Sequence, residues 1–268
     1  MIVIQSARPN NPLGGARPAS YVLAMADVAE HYQRLLADCY SWMFGDFDAR
    51  AERERAFFAR HGLQAPAAGA SAVDLGAGSG HQTVALAHLG WRVRAIDSSA
   101  KLLDELRRRA AGLDVIAVED DLRQFARHLD GAPGLIACMG DTLTHLPSPE
   151  SVRQLFGAAR SALAPGGALV LTYRDLSRAV EGTDRFIPVR ADDDLILTCF
   201  LEYLPEVVRV HDLLYRRSAD GWRLEKSWYP KLRLAQPDVE CWLADAGFGL
   251  AHVATTRGLV EIVARVAA

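Results

Sequence analysis

The chain has 268 residues, half of them hydrophobic and 24% charged, an ordinary globular balance with length for one large core and a sizeable insertion. The formal charge is only −3 and the basic residues are interspersed with acidic ones, which argues against a nucleic-acid partner held by net attraction. Cys39, Cys138, Cys199 and Cys241 form no CxxC or other ligand spacing, no stretch approaches the roughly 20 apolar residues of a membrane span, and the first residues lack the basic start of a signal peptide. The expectation is a cytoplasmic chain with reduced thiols and with neither nucleic-acid nor membrane partners.

Residues 1–20 are rich in Pro, Gly, Asn and Ala and read as a loose arm. A helical pattern follows from 22 to 61 and contains Tyr32, Tyr40, Trp42 and Met43. From residue 71 the character changes. Apolar runs at 72–75, 91–96, 114–118, 134–139 and 167–172 each have the length of a strand, and most are followed by a helical pattern. This alternation predicts an α/β fold with a mostly parallel sheet covered by helices on both faces. Arg107, Arg108 and Arg109 close one of these helices, where cations favour the helix dipole.

The stretch 185–234 is different, with β-branched and aromatic runs at 195–203, 207–217 and 222–234. It reads as an antiparallel meander whose hairpin turn is Asp220-Gly221. Its aromatics Tyr203, Tyr215, Trp222, Trp228 and Tyr229 are too many for a free ribbon and call for a partner surface. A helix at 237–246 ending at Gly247 and a strand pair within 250–266 complete the chain. The expected organisation is one domain: an arm and helical segment over 1–65, a core over 66–184, the β insertion over 185–234 and a C-terminal helix and strands over 235–268.

The strongest chemical signal is Asp74-Leu75-Gly76-Ala77-Gly78-Ser79-Gly80, between the first strand and the helix from His81. Its glycines let the backbone turn sharply and approach a ligand closely. A dinucleotide loop of GxGxxG form would place its third glycine where His81 stands, and no GxxxxGK[ST] loop is present. An acid, Asp74, precedes the loop, which suits a cationic ligand better than a diphosphate. Asp97 closes the second strand about 20 residues further on, where a carboxylate accepts hydrogen bonds from ribose hydroxyls. Capping of the next helix is the competing role for Asp97, and Ser98 or Ser99 could serve equally well there.

These motifs resemble motif I and the second acidic motif of the class I S-adenosylmethionine-dependent methyltransferases. Asp120-Asp121-Leu122 follows the third strand, where that family sets an acid against the adenine amino group and an apolar residue against the ring; Leu163-Ala164-Pro165-Gly166-Gly167 resembles its turn before the fifth strand. The segment 136–146, with Tyr173-Arg174 and Trp228-Tyr229-Pro230, is similar to glycine and sarcosine N-methyltransferases, although Asp141 replaces their asparagine. The resemblance implies a Rossmann-like methyltransferase sheet with an antiparallel C-terminal strand, a small antiparallel insertion and an N-terminal helical lid. It implies S-adenosylmethionine as cofactor, held by Asp74, Gly76, Ala77, Gly78, Gly80, Asp97, Ser98, Asp121, Leu122 and Met139, with Tyr32 and Trp42 from the lid.

It further implies direct SN2 methyl transfer to a small molecule, an amine or amino-acid-like acceptor framed by Asp141, His145, Arg174 and Tyr229. An Asp141→Asn exchange is expected to lower turnover and to leave cofactor affinity and thermal stability unchanged. Arg174 pairs either with an acceptor carboxylate or with a neighbouring acid. His145 is a candidate proton acceptor, beside the reading of a structural histidine that fixes its loop. Two other functions stay open: a different reaction on the same fold, such as a cyclisation or group displacement, and non-catalytic binding. Asp192-Asp193-Asp194 reads as a solvated turn, and the eight histidines form no ligand pair, so no metal is expected. The oligomeric state is open, a homo-oligomer included.

Overall fold

The computed structural model describes Leu35 and residues 39–267. The arm at 1–20 and Tyr32 lie outside the described residues.

Two short helices, α1 (Tyr40–Phe44) and α2 (Phe47–Arg60), lead into an alternating core. That core runs β1 (Ser71–Leu75), α3 (His81–His88), β2 (Arg92–Asp97), α4 (Ala100–Arg109), β3 (Val115–Glu119), β4 (Leu135–Cys138), α5 (Pro149–Ala162) and β5 (Ala168–Arg174). Helix starts follow local capping chemistry. Asp46 Oδ1 accepts from Ala49 N at 2.7 Å to open α2, and Ser148 caps α5 with Pro149 in its first turn.

Four further strands make the insertion: β6 (Phe186–Ala191), β7 (Leu195–Tyr203), β8 (Val207–Ser218) and β9 (Gly221–Leu232). After them come α6 (Gln236–Asp245), β10 (Gly249–Thr256) and β11 (Leu259–Arg265). The main sheet has seven strands in the order β3-β2-β1-β4-β5-β11-β10. Strands β1 to β5 are parallel, β11 runs antiparallel to β5, and β10 antiparallel to β11.

The period of two along each strand sorts the core into two layers. Val73, Leu75, Ile136, Leu169, Leu171 and Tyr173 meet Leu155 and Phe156 of α5 and Val239 and Leu243 of α6. Ala72, Leu135, Ala137, Ala168 and Val170 meet Phe57 and Phe58 of α2, Leu86 of α3 and Trp91. Burial on both faces is why β4 reads as an unbroken apolar run and why β1 departs from one only at Ser71 and Asp74.

The insertion is a separate antiparallel sheet in the order β6-β7-β8-β9. Leu197, Leu201, Val208, Val210, Leu214 and Tyr229 form its inner face and pack on Leu35, Cys39 and Leu176, with Trp42 and Met43 of α1 beside them. Strand β6 is absent from the sequence reading because it is short, contains Pro188 and is mostly exposed, the features of an edge strand. The hairpin also shifts by one residue. Ser218 pairs with Gly221, so Ala219 and Asp220 form the turn and Gly221, at φ +112°, opens β9. Among the described residues no helix is long and apolar enough to cross a membrane.

Candidate functional site

Strand order reverses between β1 and β4: the chain moves outward from β1 to β3, then returns to the other side of β1. Loops leaving the carboxyl ends of these two strands diverge, and open α/β sheets bind ligands in the crevice that results. Residues 76–80 form one wall of it. Gly76 has φ +71°, and a Cβ there would lie 2.4 Å from Thr142 Cγ2, so the loop after β1 and the turn after β4 touch at this point. Gly78 has φ +53°, and its Cβ would lie 3.2 Å from the Tyr40 hydroxyl, which sits over the loop.

Asp97 braces that loop from β2. Its Oδ2 accepts from Gly78 N at 2.8 Å and its Oδ1 from Ser99 N at 2.8 Å. Ser99 caps α4 by accepting from Leu102 N, so the capping role falls to the serine; Ser98 is exposed. Burial pushes the Asp97 carboxyl up from its ordinary value, against the pull of the amides of Ser99, Gly78 and Ser98. Asp74 is 1% exposed and accepts from Thr83 Oγ1 of α3 at 2.6 Å. Burial raises its carboxyl to about 7, opposed by the Thr83 bond and reinforced by the charge of Asp97. Ser79 Oγ in the same loop is buried without a hydrogen-bond partner among the described residues.

The N-terminal helices are fastened by His81, the residue that stands where a dinucleotide loop would have glycine. Its ring stacks on Phe47 at 4.5 Å and meets Phe44 at 5.7 Å, and burial lowers its pKa to about 3, leaving a neutral imidazole in the apolar contact. Ser41 Oγ also donates to Glu105 of α4 at 2.5 Å. Tyr40 thereby comes to rest among three acids. Burial first, and then Asp97, Asp141 and Asp74, drive its phenol far above the ordinary range. Trp42 is placed elsewhere. Its indole N–H donates to Asp192, its carbonyl accepts from Arg190, and the Arg190 guanidinium lies 5.2 Å over its ring. The aromatic residue of α1 at the glycine loop is therefore Tyr40, while Trp42 joins α1 to the insertion.

On the β4 side, Met139 O accepts from Thr142 Oγ1 at 2.8 Å and Gly140 N donates to Thr172 Oγ1 at 2.8 Å. Asp141 follows at φ +74°, a left-handed conformation that non-glycine residues seldom adopt. Its Oδ1 accepts from Arg174 N at 2.6 Å, and its Oδ2 accepts from Lys231 Nζ at 2.8 Å and Arg174 Nε at 3.3 Å. Burial raises the Asp141 carboxyl, but Lys231 and Arg174 outweigh it and hold the group at about 2. His145 stacks on Tyr229 at 5.3 Å, and Lys231 Nζ lies 5.9 Å from the centre of that Tyr229 ring.

Asp141, His145, Arg174 and Tyr229 thus gather around Lys231, a partner the sequence reading lacks. No motif marks this lysine; its inward position on β9, two residues from Tyr229, is the only available signal. At the far edge Asp121 is paired with Arg123 at 2.9 Å and Asp120 with His128 at 2.7 Å, while Leu122 packs half-buried on the core. Among the described residues no group of three or more His, Cys, Asp or Glu is arranged to hold a metal.

Residues 72–167 match the family model described as a methyltransferase domain. A glycine/sarcosine N-methyltransferase of Parasynechococcus marenigrum (strain WH8102) is 28% identical over 162 residues, covering 57% of this chain and 55% of the relative. A cypemycin N-terminal methyltransferase of Streptomyces sp is 36% identical over 111 residues, 41% of this chain and 44% of that one. The chain spans about half the length of the curated relatives it matches. In three dimensions it resembles the CcbJ methyltransferase of Streptomyces caelestis with a TM-score of 0.69 and 23% identity, over 91% of this chain and 98% of that one.

The geometry around Asp141 revises one expectation. An Asp141→Asn exchange keeps the bond from Arg174 N but leaves the Lys231 ammonium buried without its carboxylate, a loss of about 3 kcal/mol or more. The melting temperature should fall by roughly 6–10 °C, and adding Lys231→Met should recover most of it. A single variant that melts with the parent would show that the Asp141–Lys231 contact does not hold this region.

Proposed function

From a methyltransferase domain at residues 72–167 and the fold of the class I S-adenosylmethionine-dependent methyltransferases, we propose that the chain transfers a methyl group directly to nitrogen of a small amine or amino-acid-like acceptor. The observation that carries this reading is the convergence of the glycine loop, Asp97 and Asp74 at the point where strand order reverses. S-adenosylmethionine, when bound, supplies a methyl already activated by its sulfonium.

The residues present fit that cofactor. Asp97 Oδ2 accepts from Gly78 N and Oδ1 from Ser99 N, and the carboxylate keeps lone pairs for ribose hydroxyls. Asp74 offers a carboxylate to an ammonium group, and the Ser79 hydroxyl offers a buried polar atom. Gly76, Ala77, Gly78 and Gly80 let the ligand approach the backbone, with Ser98 and Met139 lining the neighbouring turns. Asp121 and Leu122 provide the edge for an adenine ring. Tyr40, over Gly78, takes the place in the lid first assigned to Trp42, and shields the loop from water.

Acceptor placement falls to the group around Asp141. Two cations, Lys231 and Arg174, meet this one carboxylate, so the surplus charge there is positive. A nearby positive charge disfavours a protonated amine and keeps the acceptor nitrogen nucleophilic. Asp141 itself, held at about 2, stays ionised and does not take the proton. His145 and Tyr229, stacked together, wall the same space and orient the acceptor. The names of the two relatives, a glycine/sarcosine N-methyltransferase and an N-terminal methyltransferase, support nitrogen as the acceptor atom.

The test is a transfer assay with S-adenosylmethionine carrying a deuterated methyl, screened by mass spectrometry over amines, amino acids and amino sugars. Deuterated product on nitrogen supports the reading, and product formed without consumption of the cofactor overturns it. Asp97→Ala should weaken binding of S-adenosylhomocysteine roughly 10- to 150-fold, the loss of a charged hydrogen-bond acceptor.

A pH dependence follows from Asp74. Its folded value of about 7 lies above the unfolded value near 3.9, so ionising it works against folding as pH rises between about 4 and 7. That ionisation also supplies the carboxylate an ammonium group needs. Affinity for S-adenosylhomocysteine should therefore fall as pH is lowered from about 7.5 to 5.5, by up to about tenfold per unit below 7. In Asp74→Asn the profile should be flat, and a parent profile equally flat would contradict the contact.

A further inference from the structure

We infer that Arg50 of α2 binds the carboxylate at the amino-acid end of the cofactor, an inference that rests on the cofactor reading above. That end of S-adenosylmethionine is a zwitterion, and Asp74 answers only its ammonium group. The carboxylate beside it would face the mutually repelling charges of Asp74 and Asp97 unless a cation stood close by.

One face of α2 supplies that cation. Phe47, Arg50, Ala51, Glu54 and Phe58 recur at spacings of three and four, which puts them on one side of the helix. Ala51 shares a buried cluster with Ala77 of the glycine loop and Val84 of α3, and Phe47 stacks on His81 at the start of α3. Between these contacts the Arg50 guanidinium lies 4.5 Å over the ring of Phe44. Phe44 in turn meets His81 at 5.7 Å and, at 4.8 Å, the Tyr40 ring that covers Gly78. After burial, the charge of Arg50 is the next cause that lowers the His81 pKa, and it also opposes the rise at Tyr40.

The guanidinium is uncommitted. Arg50 Nε is buried without a hydrogen-bond partner among the described residues, a cost that an arriving acceptor would remove. The ion pair with Glu54 spans 3.7 Å from Nη2 to Oε1, too long for a hydrogen bond. Burial pushes the Glu54 carboxyl up, against the pull of Arg50 and Arg53, which makes it a weak counter-ion. Other cations near His81 are placed differently: Arg109 donates to Glu105 and to Ser79 O, and Arg53 is exposed. Phe44 holds the flat face of the Arg50 guanidinium and leaves its edge, where the N–H groups point, for a planar carboxylate.

The test is calorimetric titration of the full chain with S-adenosylhomocysteine and with its decarboxylated analogue, which keeps the ammonium group and lacks the carboxylate. The parent should prefer S-adenosylhomocysteine roughly 10- to 150-fold, the range for a charged hydrogen-bonded contact. Arg50→Met, which keeps an apolar stem over Phe44, should lose that preference and bind the analogue as the parent does. Arg50→Lys, which keeps the charge without the planar fork, should retain only part of it, and this variant decides if the methionine variant unfolds. A parent indifferent to the carboxylate, an Arg50→Met protein that weakens both ligands equally or neither, or a full preference in Arg50→Lys would each overturn the inference. Asp97→Ala should weaken both ligands alike; a parent that binds neither contradicts the cofactor reading itself, and this inference with it.

Discussion

The hydrogen bond from Gly78 N to the Asp97 carboxylate is the contact on which the site depends. Backbone at positive φ in Gly76 and Gly78 has no side chain to hold it, so its shape must be imposed from outside. The imposition comes from three directions: Asp97 from β2, Thr142 from the turn after β4, and Tyr40 from α1. A carboxylate serves better than a neutral acceptor, since charge-assisted bonds to backbone amides are shorter and stronger. Asp97 is thus a structural brace first, and the ligand contact proposed for it would use lone pairs that the brace leaves over.

A second unit ties the insertion to the sheet edge. Asp141 bonds at once to β5 through Arg174 and to β9 through Lys231, joining residues 90 apart in sequence. Burying such a unit costs desolvation that apolar packing would avoid, so its value lies in fixing one arrangement of three elements. Trp42 performs the matching task on the other side, linking α1 to Asp192 and Arg190 while Tyr40, two residues earlier, faces the glycine loop. The insertion is held to both walls of the crevice without contributing to the main sheet.

Much of this was legible in the sequence wherever a local pattern carries the information. β4 and β5 stand out because strands buried on both faces are near-continuous apolar runs, β1 to β3 because short β-branched runs alternate with helical patterns, and Asp74, the glycine loop and Asp97 by spacing alone. Contacts made across the fold were not legible. Lys231 meets Asp141 only because β9 folds back over the turn after β4, and beyond its same-face spacing from Tyr229 nothing in the sequence marks it. In α1 the choice between Tyr40 and Trp42 depends on which side of a short helix meets the sheet, a tertiary matter. The edge strand β6 lacks a buried face, so it has no hydrophobic period to read.

The most direct test of the braced loop as the cofactor seat is a backbone amide NMR titration of the full chain with S-adenosylhomocysteine. The amides of Gly76, Gly78, Ser79 and residues 97–99 should shift first and furthest, with the Trp42 indole and the outer strands of the insertion little changed. Saturation with the loop amides unmoved, or shifts centred on the insertion or on the opposite edge of the sheet, would contradict that seat.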